Sequence, residues 1–209
     1  AVWGDVAATL QEQGLAISSG DTKTVGVGGL TLAGGIGWMV RKYGLALDSL
    51  TGAEVVLADG SVVHASKDDD ADLFWAIRGG GGNFGIATNF EFTAHPVGKV
   101  YSGMAMYNLA ELKKVLTGWR DLTRKASEDL TTMFLVMPAN PAFAGMPAAA
   151  MILFCYATDD EVAANAAIEP FLGLGKILNK DIKRKDYAEV LEDAHVPQGV
   201  KVITNNTFV

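Results

Sequence analysis

Two glycine-rich stretches carry the residues whose types and spacing could do chemistry. The first glycine stretch, residues 26–37, has glycine at six of its twelve positions, and the second, residues 79–86, begins with four consecutive glycines. Glycine lacks Cβ, so its backbone adopts positive φ and lets a ligand approach closely. Because glycine destabilises helix and strand interiors by about 0.5–1 kcal/mol relative to Ala, we expect an irregular backbone. Its N–H groups could face a phosphate, although ligand-free tight turns have the same composition.

The order of elements around the second glycine stretch decides between two nucleotide-binding motifs. Residues 80–85 fit G-x-G-x-x-G, which in a dinucleotide-binding unit follows a strand and opens a helix. Here a predicted helix, residues 73–78, precedes the glycines and a predicted strand, residues 86–94, follows them. An NAD-dependent dehydrogenase therefore stays only a remote alternative. A P-loop motif is absent from the sequence.

Composition limits the partners. The chain has 209 residues, 49% of them hydrophobic, and a net charge of −7. The acidic balance without a basic run argues against nucleic acid and anionic membranes as partners. No apolar run reaches the roughly 18 residues that a membrane span needs, and no signal peptide is visible, so we predict a cytoplasmic protein. Since the chain begins at Ala1, this localisation is a weak prediction.

The remaining chemical groups suggest structural roles. Cys155, the only cysteine, lies in an apolar run and is predicted to be a buried, inert thiol. Arg41 and Lys42 form either a solvated basic pair or a phosphate contact. His64 ends a predicted strand, and His195 lies in a predicted loop, so neither is favoured as a catalytic base. The run of charges at residues 67–70 indicates a solvated loop rather than a metal site.

The elements that must position these residues divide near residue 98, since 18 of the 24 glycines lie in residues 1–98. Residues 1–98 predict a helix at 3–13, a strand at 15–17, a helical turn at 38–43, a hairpin at 54–64 around Asp59-Gly60, and a helix that Asp70 or Asp72 caps. The strand at 86–94 alternates with period two, which places Ile86, Thr88, Phe90 and Phe92 on one face.

Residues 99–209 predict an α+β pattern. The expected strands are 100–107, 130–137, 148–156, 177–182 and 200–208; the expected helices follow Asn108, begin near residue 161 and span 187–193. This order indicates an antiparallel sheet with helices on one face. Tyr107, Met133, Leu135 and Tyr156 are candidates for the opposite, open face, although ordinary core positions are the simpler interpretation.

At these residues the sequence resembles the FAD-linked oxidases of the vanillyl-alcohol-oxidase superfamily (PCMH-type FAD-binding), in particular the berberine-bridge-enzyme-like branch. Four stretches carry the resemblance, in the family's order: residues 25–37, residues 41–48, residues 55–60 and residues 72–86. The resemblance implies an α+β fold, in which residues 1–98 form the second half of a PCMH-type FAD-binding domain. Residues 99–209 would then form an incomplete substrate-binding domain, whose open sheet face roofs the flavin.

The resemblance also implies the cofactor contacts. The positions that match the family's flavin-binding residues are Asp21, Thr24, Val25, Gly26, Gly29, Gly34, Gly35, Ile36, Gly37, Asn83, Gly85 and Ile86. Close backbone approach suits both a flat ring and a diphosphate, so the glycines agree with this assignment. The implied cofactor is FAD, and no metal is implied.

The sequence also departs from the family pattern. Covalent members carry a flavin-linking histidine upstream of this region, and bicovalent members carry a cysteine where Thr22 stands. Thr22 cannot form a thioether, which excludes a second covalent link here. The segment that often brings the catalytic base follows residue 209 in the family, so the catalytic residues are unknown. These departures suggest an internal fragment of a larger oxidase.

Two functional hypotheses follow. In the first, the protein is an FAD-dependent oxidase that transfers a hydride from an alcohol- or amine-type small molecule to FAD, and O₂ reoxidises the flavin and gives H₂O₂. In the second, this polypeptide alone is cofactor-free and inactive. A site with only one wall makes several fewer hydrogen bonds to FAD than a complete site, and each is worth about 1 kcal/mol. An exposed half-interface would also favour self-association.

Overall fold

The computed structural model describes residues 1–137, 139 and 147–192. Among residues 1–98, the helices are α1 (Trp3–Gln11), α2 (Val27–Leu32), α3 (Val40–Tyr43) and α4 (Ala71–Gly80), and the strands are β1 (Leu15–Ala16), β2 (Leu50–Val56), β3 (Val62–Ser66), β4 (Ile86–Phe92) and β5 (His95–Pro96). Short 3₁₀ helices cover Ala46–Ser49 and Gly81–Asn83. We call residues 1–98 the N-terminal half.

A three-stranded antiparallel sheet of order β3-β2-β4 forms the centre of this half. The predicted hairpin is present: Asp59 accepts hydrogen bonds from both the backbone and the hydroxyl of Ser61, and Gly60 adopts a φ of 84°. Helix α4 covers one face of the sheet, where Phe74 and Ile77 are buried. The Asp70 carboxylate caps this helix by accepting from the Leu73 N–H, so the capping prediction is confirmed.

The first glycine stretch is more regular than its composition predicts. Residues Val27–Leu32 form a six-residue helix that includes Gly28 and Gly29, so the expectation of irregular backbone is wrong for its first half. The buried side chains of Val27 and Thr31 hold the helix on the core, and the Thr31 hydroxyl donates to the Val27 carbonyl at 2.8 Å. Tertiary packing outweighs the low helix propensity of the two glycines.

Strand β4 is interrupted by a bulge, so the prediction that Ile86 and Thr88 share a face with Phe90 is wrong. The register with β2 shifts where Glu54 pairs with Asn89 while Val55 pairs with Ala87. One extra residue reverses the alternation. As a result Ala87 packs with the core, and Ile86 is 71% exposed.

The second part of the chain, residues 99–192, is called the sheet half. Its strands are β6 (Lys99–Asn108), β7 (Leu130–Met137), β8 (Ala149–Tyr156) and β9 (Ile177–Asp186), its helices are α5 (Leu112–Thr123) and α6 (Glu161–Leu172), and 3₁₀ helices cover Leu109–Glu111 and Tyr187–Glu189. The strands form one antiparallel sheet, as predicted, and their order is β7-β8-β6-β9. Asn108 and Asp160 cap the helical segments that follow them. The predicted strand at 200–208 and His195 lie outside the described residues.

Both helices pack on the same face of this sheet. The shared core contains Val115 from α5, Ile168 and Phe171 from α6, and Ile152 and Phe154 from β8. The ring of Phe154 meets that of Phe171 edge-on, with centroids 5.7 Å apart. This core is continuous from one helix to the other, and the predicted fold class is confirmed.

Only two of the four candidate side chains lie on the open face of the sheet. Tyr107 and Tyr156 are buried in the helix-covered core, and the Tyr107 hydroxyl donates to the Phe171 carbonyl at 3.0 Å. Burial raises the pKa of Tyr107 to about 12. Met133 and Leu135, which alternate with the core residue Phe134, do lie on the opposite face. The sequence pattern could not choose the face, because both faces of these strands are apolar.

A second buried cluster, the junction cluster, joins the two halves. It packs Trp38 and Met39, which follow the first glycine stretch, against Val100, Cys155 and Tyr187 from the sheet half. Tyr187 is also tied to the N-terminal half through its N–H, which donates to the Gln11 side chain at 2.9 Å. The open face of the sheet is therefore partly covered by the segment that leaves the first glycine stretch.

Candidate functional site

The two glycine stretches lie side by side. Helix α2, inside the first stretch, packs against α4 and against the 3₁₀ helix Gly81–Asn83 of the second stretch. A kink at Arg78 and Gly79 turns the chain out of α4, and β4 leaves from Ile86. The helix-before and strand-after order is therefore present in the structure, and it is the reverse of a dinucleotide-binding unit.

Some glycines in these stretches are required by the chain's own packing. A Cβ on Gly37 would stand 2.5 Å from the backbone N of Gly20, and a Cβ on Gly85 would stand 2.6 Å from the carbonyl of Val56. Gly35 has a φ of 82°, and a Cβ there would lie 2.6 Å from that of Ala46. These three positions need glycine whether or not a ligand binds.

Other glycines have no such explanation within the described residues. A Cβ on Gly26, Gly29 or Gly82 would meet no described heavy atom within 4 Å. At Gly34 the nearest atom is 3.9 Å away, although its φ of 121° itself favours glycine. Gly26 and Gly29 have ordinary φ values, so neither sterics nor backbone conformation explains the missing side chain. An open surface that a ligand approaches closely does explain it.

The two glycine stretches also carry exposed apolar side chains. Ile36 is 75% exposed and Ile86 is 71% exposed, and Phe84 is 42% exposed between the glycines and β4. Exposed large apolar side chains are typical of interaction sites. The arrangement fits a ligand with a flat apolar ring and a polar chain.

The remaining predicted contact residues lie along the same segments, with part of their polar groups already engaged. The Asp21 carbonyl accepts from the Glu192 N–H at 2.8 Å, the Val25 carbonyl accepts from the Trp3 N–H at 2.9 Å, and the Asn83 amide donates to the Gly80 carbonyl at 2.7 Å. The side chains of Asp21, Thr24 and Asn83 are exposed.

Three cations near the glycine stretches are occupied by this chain. Arg78 donates to the Leu47 carbonyl and to the Asp48 carboxylate. Arg41 and Lys42 donate to carbonyl groups of the sheet half, so neither interpretation of them as a solvated pair or a phosphate contact holds. A diphosphate at this surface would meet backbone N–H groups rather than these three side chains.

A cavity of about 210 Å³ lies where the first glycine stretch meets the sheet. Trp38, directly after Gly37, forms one side of it. Ser102, Met104 and Leu153 from the open face of the sheet form another, and Asp181 of β9 also lines it. The cavity therefore lies between Trp38 of the N-terminal half and the sheet half.

No catalytic base can be assigned from the described titratable groups. Cys155 is fully buried, and burial raises the pKa of its thiol to about 12, so it is unreactive as predicted. His64 contacts the carboxylates of Glu91 at 3.3 Å and Asp69 at 3.8 Å on an exposed part of β3. Among the residues that the structure describes, no group of three or more His, Cys, Asp or Glu side chains could hold a metal ion.

Residues 1–66 match the FAD binding domain family. A FAD-linked oxidoreductase of Dictyostelium discoideum is 32% identical over 99% of this chain and 44% of its own length, and glucooligosaccharide oxidase of Sarocladium strictum is 54% identical over 43% of this chain and 18% of its own. The crystal structure of 6-hydroxy-D-nicotine oxidase from Arthrobacter nicotinovorans covers 91% of this chain, with a TM-score of 0.78 and 31% identity; this chain covers 42% of it.

A solved BBE-like protein of Physcomitrella patens covers 89% of this chain with a TM-score of 0.78 and 26% identity; this chain covers 39% of it. The fold is thus that of the PCMH-type FAD-binding proteins. The chain belongs to the FAD-linked oxidoreductases of the vanillyl-alcohol-oxidase superfamily, an enzyme family whose cofactor is FAD. It spans less than half the length of the relatives that it matches. The predicted family, fold and cofactor are confirmed.

No described helix is long and apolar enough to cross a membrane.

Proposed function

We propose that this chain supplies one wall of an FAD site and the facing part of a substrate site in an FAD-dependent oxidase. The observation that carries the proposal is the open backbone at Gly26, the N-cap of α2, and at Gly29 within α2, a helix that packs against the second glycine stretch. FAD bound there would accept a hydride from a C–H beside a hydroxyl or amine and would be reoxidised by O₂, giving H₂O₂.

The proposed cofactor residues fall into two groups. Asp21, Thr24, Val25, Gly26, Gly29, Gly34, Gly35, Ile36 and Gly37 form the first, and Asn83, Gly85 and Ile86 form the second. In this proposal the open glycines admit the cofactor, while Gly35, Gly37 and Gly85 hold the backbone in the shape that the contact needs. The exposed side chains of Ile36 and Ile86 would add apolar contacts to the bound cofactor.

The proposed division of labour places cofactor binding in residues 1–98 and substrate binding in residues 99–209. The cavity of about 210 Å³ supports it, because Trp38 from the N-terminal half and Met104 from the sheet both line it. The substrate would be a small molecule with a hydroxyl or amine group. Relatives named for glucooligosaccharide and 6-hydroxy-D-nicotine support that breadth.

A second candidate is that this polypeptide, on its own, retains no FAD. The observation that favours it is the engagement of Arg41, Lys42 and Arg78 in contacts within the chain, which leaves none of the three to neutralise a diphosphate. In that case the exposed side chains of Ile36, Trp75 and Ile86 would favour self-association. Light scattering at high protein concentration tests this, and a clean monomer would contradict it.

The absorption spectrum after gel filtration of the chain with added FAD distinguishes the two candidates. The first predicts that the visible bands of oxidised flavin elute with the protein, and the second predicts that they do not. A Gly29→Leu variant keeps a good helix former in α2 but fills the open space, so it should lose the flavin bands. Thr117→Leu adds the same side chain on exposed helix α5 and should keep them. Equal retention by both variants would place the cofactor elsewhere.

A further inference from the structure

Two cations just after the first glycine stretch cross to the other half of the molecule. Arg41 donates from Nη1 to the Leu130 carbonyl at 2.7 Å and from Nη2 to the Ala126 carbonyl at 2.9 Å. Lys42 donates from Nζ to the Ala157 carbonyl at 2.9 Å and pairs with the Asp129 carboxylate at 2.6 Å. Both side chains therefore donate hydrogen bonds to groups that are 85 to 115 residues away in the sequence.

The four acceptors belong to one structural unit. Ala126 and Leu130 flank the turn between α5 and β7, and Ala157 directly follows β8. The Ala157 N–H donates to the Asp129 carbonyl at 2.8 Å, which ties the turn to the end of the neighbouring strand. Arg41 and Lys42 thus grip the adjacent ends of two strands at one edge of the sheet.

The two cations differ in what they can specify. A guanidinium is a rigid planar fork, so Arg41 fixes the separation and direction of two carbonyl groups simultaneously. An ammonium on a flexible stem acts as a point charge, and it suits the single carbonyl and carboxylate that Lys42 meets. The junction cluster around Trp38 and Cys155 adds adhesion, but apolar burial is non-directional and does not by itself fix an orientation.

The backbone that carries these two side chains is also fixed by contacts within the N-terminal half. Arg41 lies four residues after Gly37, whose backbone is packed directly on Gly20. Helix α3 begins at Val40, whose N–H donates to the Gly37 carbonyl at 3.1 Å. The separation between the first glycine stretch and the sheet is therefore set by a short, braced segment.

We propose that Arg41 and Lys42 are positioning residues that dock the sheet half at a fixed distance and angle from the first glycine stretch. Neither touches the proposed cofactor surface; both act through the position of the sheet. Only the catalytic consequence rests on the proposed function. If the cofactor lies on the glycine surface, the docking sets how close the sheet brings a substrate to it.

Spin labels on the two halves test the docking directly. Asp72→Cys on α4 and Lys113→Cys on α5 are exposed attachment points, and the buried Cys155 does not compete for label. Pulsed EPR of the otherwise unchanged chain should give one narrow distance distribution. Arg41→Gln should broaden or shift it. Arg120→Gln, which removes an exposed guanidinium that pairs only locally with Asp121, should leave it unchanged.

Conservative variants separate positioning from general stability. Arg41→Lys keeps the charge but cannot hold both carbonyls, so it should broaden the distribution nearly as much as Arg41→Gln. Lys42→Arg can still serve both of its acceptors and should keep it narrow. Circular dichroism should show both halves folded in every variant. A narrow, unshifted distribution in Arg41→Gln would overturn the proposal, as would broadening that follows only loss of fold.

The same variants keep this proposal distinguishable from the proposed function. If the chain retains FAD, Arg41→Lys should leave the flavin affinity within about twofold of the unchanged chain, because the glycine surface is intact. Its turnover with a substrate should fall by about tenfold or more, because small misplacements of a substrate are costly. If no variant retains FAD, the proposed function fails for this polypeptide, and the EPR distances still decide the docking.

Discussion

The N-terminal half and the sheet half organise their apolar cores differently. The sheet half buries a continuous core that includes Phe154, Phe171 and Tyr107 beneath two helices. The N-terminal half divides its core between smaller clusters and leaves Ile36, Trp75 and Ile86 more than two-thirds exposed. The surface that could bind a cofactor therefore belongs to the half whose core is divided into smaller clusters.

Glycine content explains much of this difference. Of the 24 glycines, 18 lie in residues 1–98, and a glycine contributes no side chain to a core. The same residues create the close backbone contacts at Gly37 and the open surface at Gly29. The open backbone and the divided core of the N-terminal half thus have one origin, its glycine content.

The largest effect is expected from matched truncations of the two cores. Phe154→Ala removes a fully buried ring from the continuous core and should lower the free energy of unfolding by about 3–5 kcal/mol. Phe74→Ala in the smaller cluster beneath β2 should cost at least about 1 kcal/mol less, because its surroundings are more exposed and can relax. Urea titrations followed by circular dichroism measure both. Equal costs would contradict the difference between the halves.

The next effect separates structural from ligand-facing glycines. Gly37→Ala forces a Cβ against the Gly20 backbone and should destabilise the fold by about 1–3 kcal/mol. Gly29→Ala meets no described atom and lies inside α2, so it should stabilise the chain by up to about 1 kcal/mol. Thermal unfolding distinguishes the two. If Gly29→Ala destabilises as strongly as Gly37→Ala, the surface at Gly29 is not open.

A third prediction concerns pH at the link between the halves. His95 stacks on Tyr43 with ring centroids 4.0 Å apart, its Nε2 lies 3.2 Å from the Ser49 hydroxyl, and burial lowers its pKa below the usual 6.5. The Lys42 ammonium lies 5.4 Å from the Tyr43 ring. Its positive charge does not favour the protonated form of His95. Because the folded state favours neutral His95, stability should fall as pH drops below about 6.5 and level off below the lowered pKa.

The measurement is the free energy of unfolding between pH 8 and pH 5, which is about 1.5 units on either side of the usual pKa of histidine. His95→Gln removes the titrating group. As the pH falls, the free energy of unfolding of the unchanged chain should therefore decrease relative to that of this variant. A pH-independent difference would show that His95 titrates equally in the folded and unfolded states.

Local sequence signals predicted the elements that local forces determine. The turn at Asp59-Gly60, the helix start at Asn108 and the strands of the sheet half all depend on neighbours in sequence. The helix at Val27–Leu32 was missed because its stability comes from burial of Val27 and Thr31 rather than from propensity.

Long-range contacts explain the other failures. The β4 bulge depends on its pairing with β2, and the face on which Tyr107 lies depends on where α6 packs. The acceptors of Arg41 are 85 and 89 residues distant, so no local pattern marks its partners. For the site, the sequence predicted which segments carry the glycines, but only the structure separates Gly29, which is open, from Gly37, which is packed.

The smallest effect is expected at the surface of the sheet half. Arg184 donates two hydrogen bonds of 2.6 Å to the Asp159 carboxylate, which lowers the pKa of Asp159 below 3.8 and joins β9 to the segment before α6. A carboxylate with a depressed folded pKa stabilises the fold above the unfolded pKa, and this contribution is lost as pH falls through the lowered value.

Asp159→Asn should therefore cause a small loss of stability at pH 7, because the pair is exposed to solvent and surface ion pairs contribute little. The difference between the unchanged chain and the variant should vanish in acid, below the lowered pKa of Asp159. Urea midpoints across an acid series measure it. A difference that persists in acid would mean that Asp159 stabilises the sheet half through packing rather than charge, and the same series on Asp121→Asn, whose partner Arg120 is its neighbour in sequence, serves as the matched control.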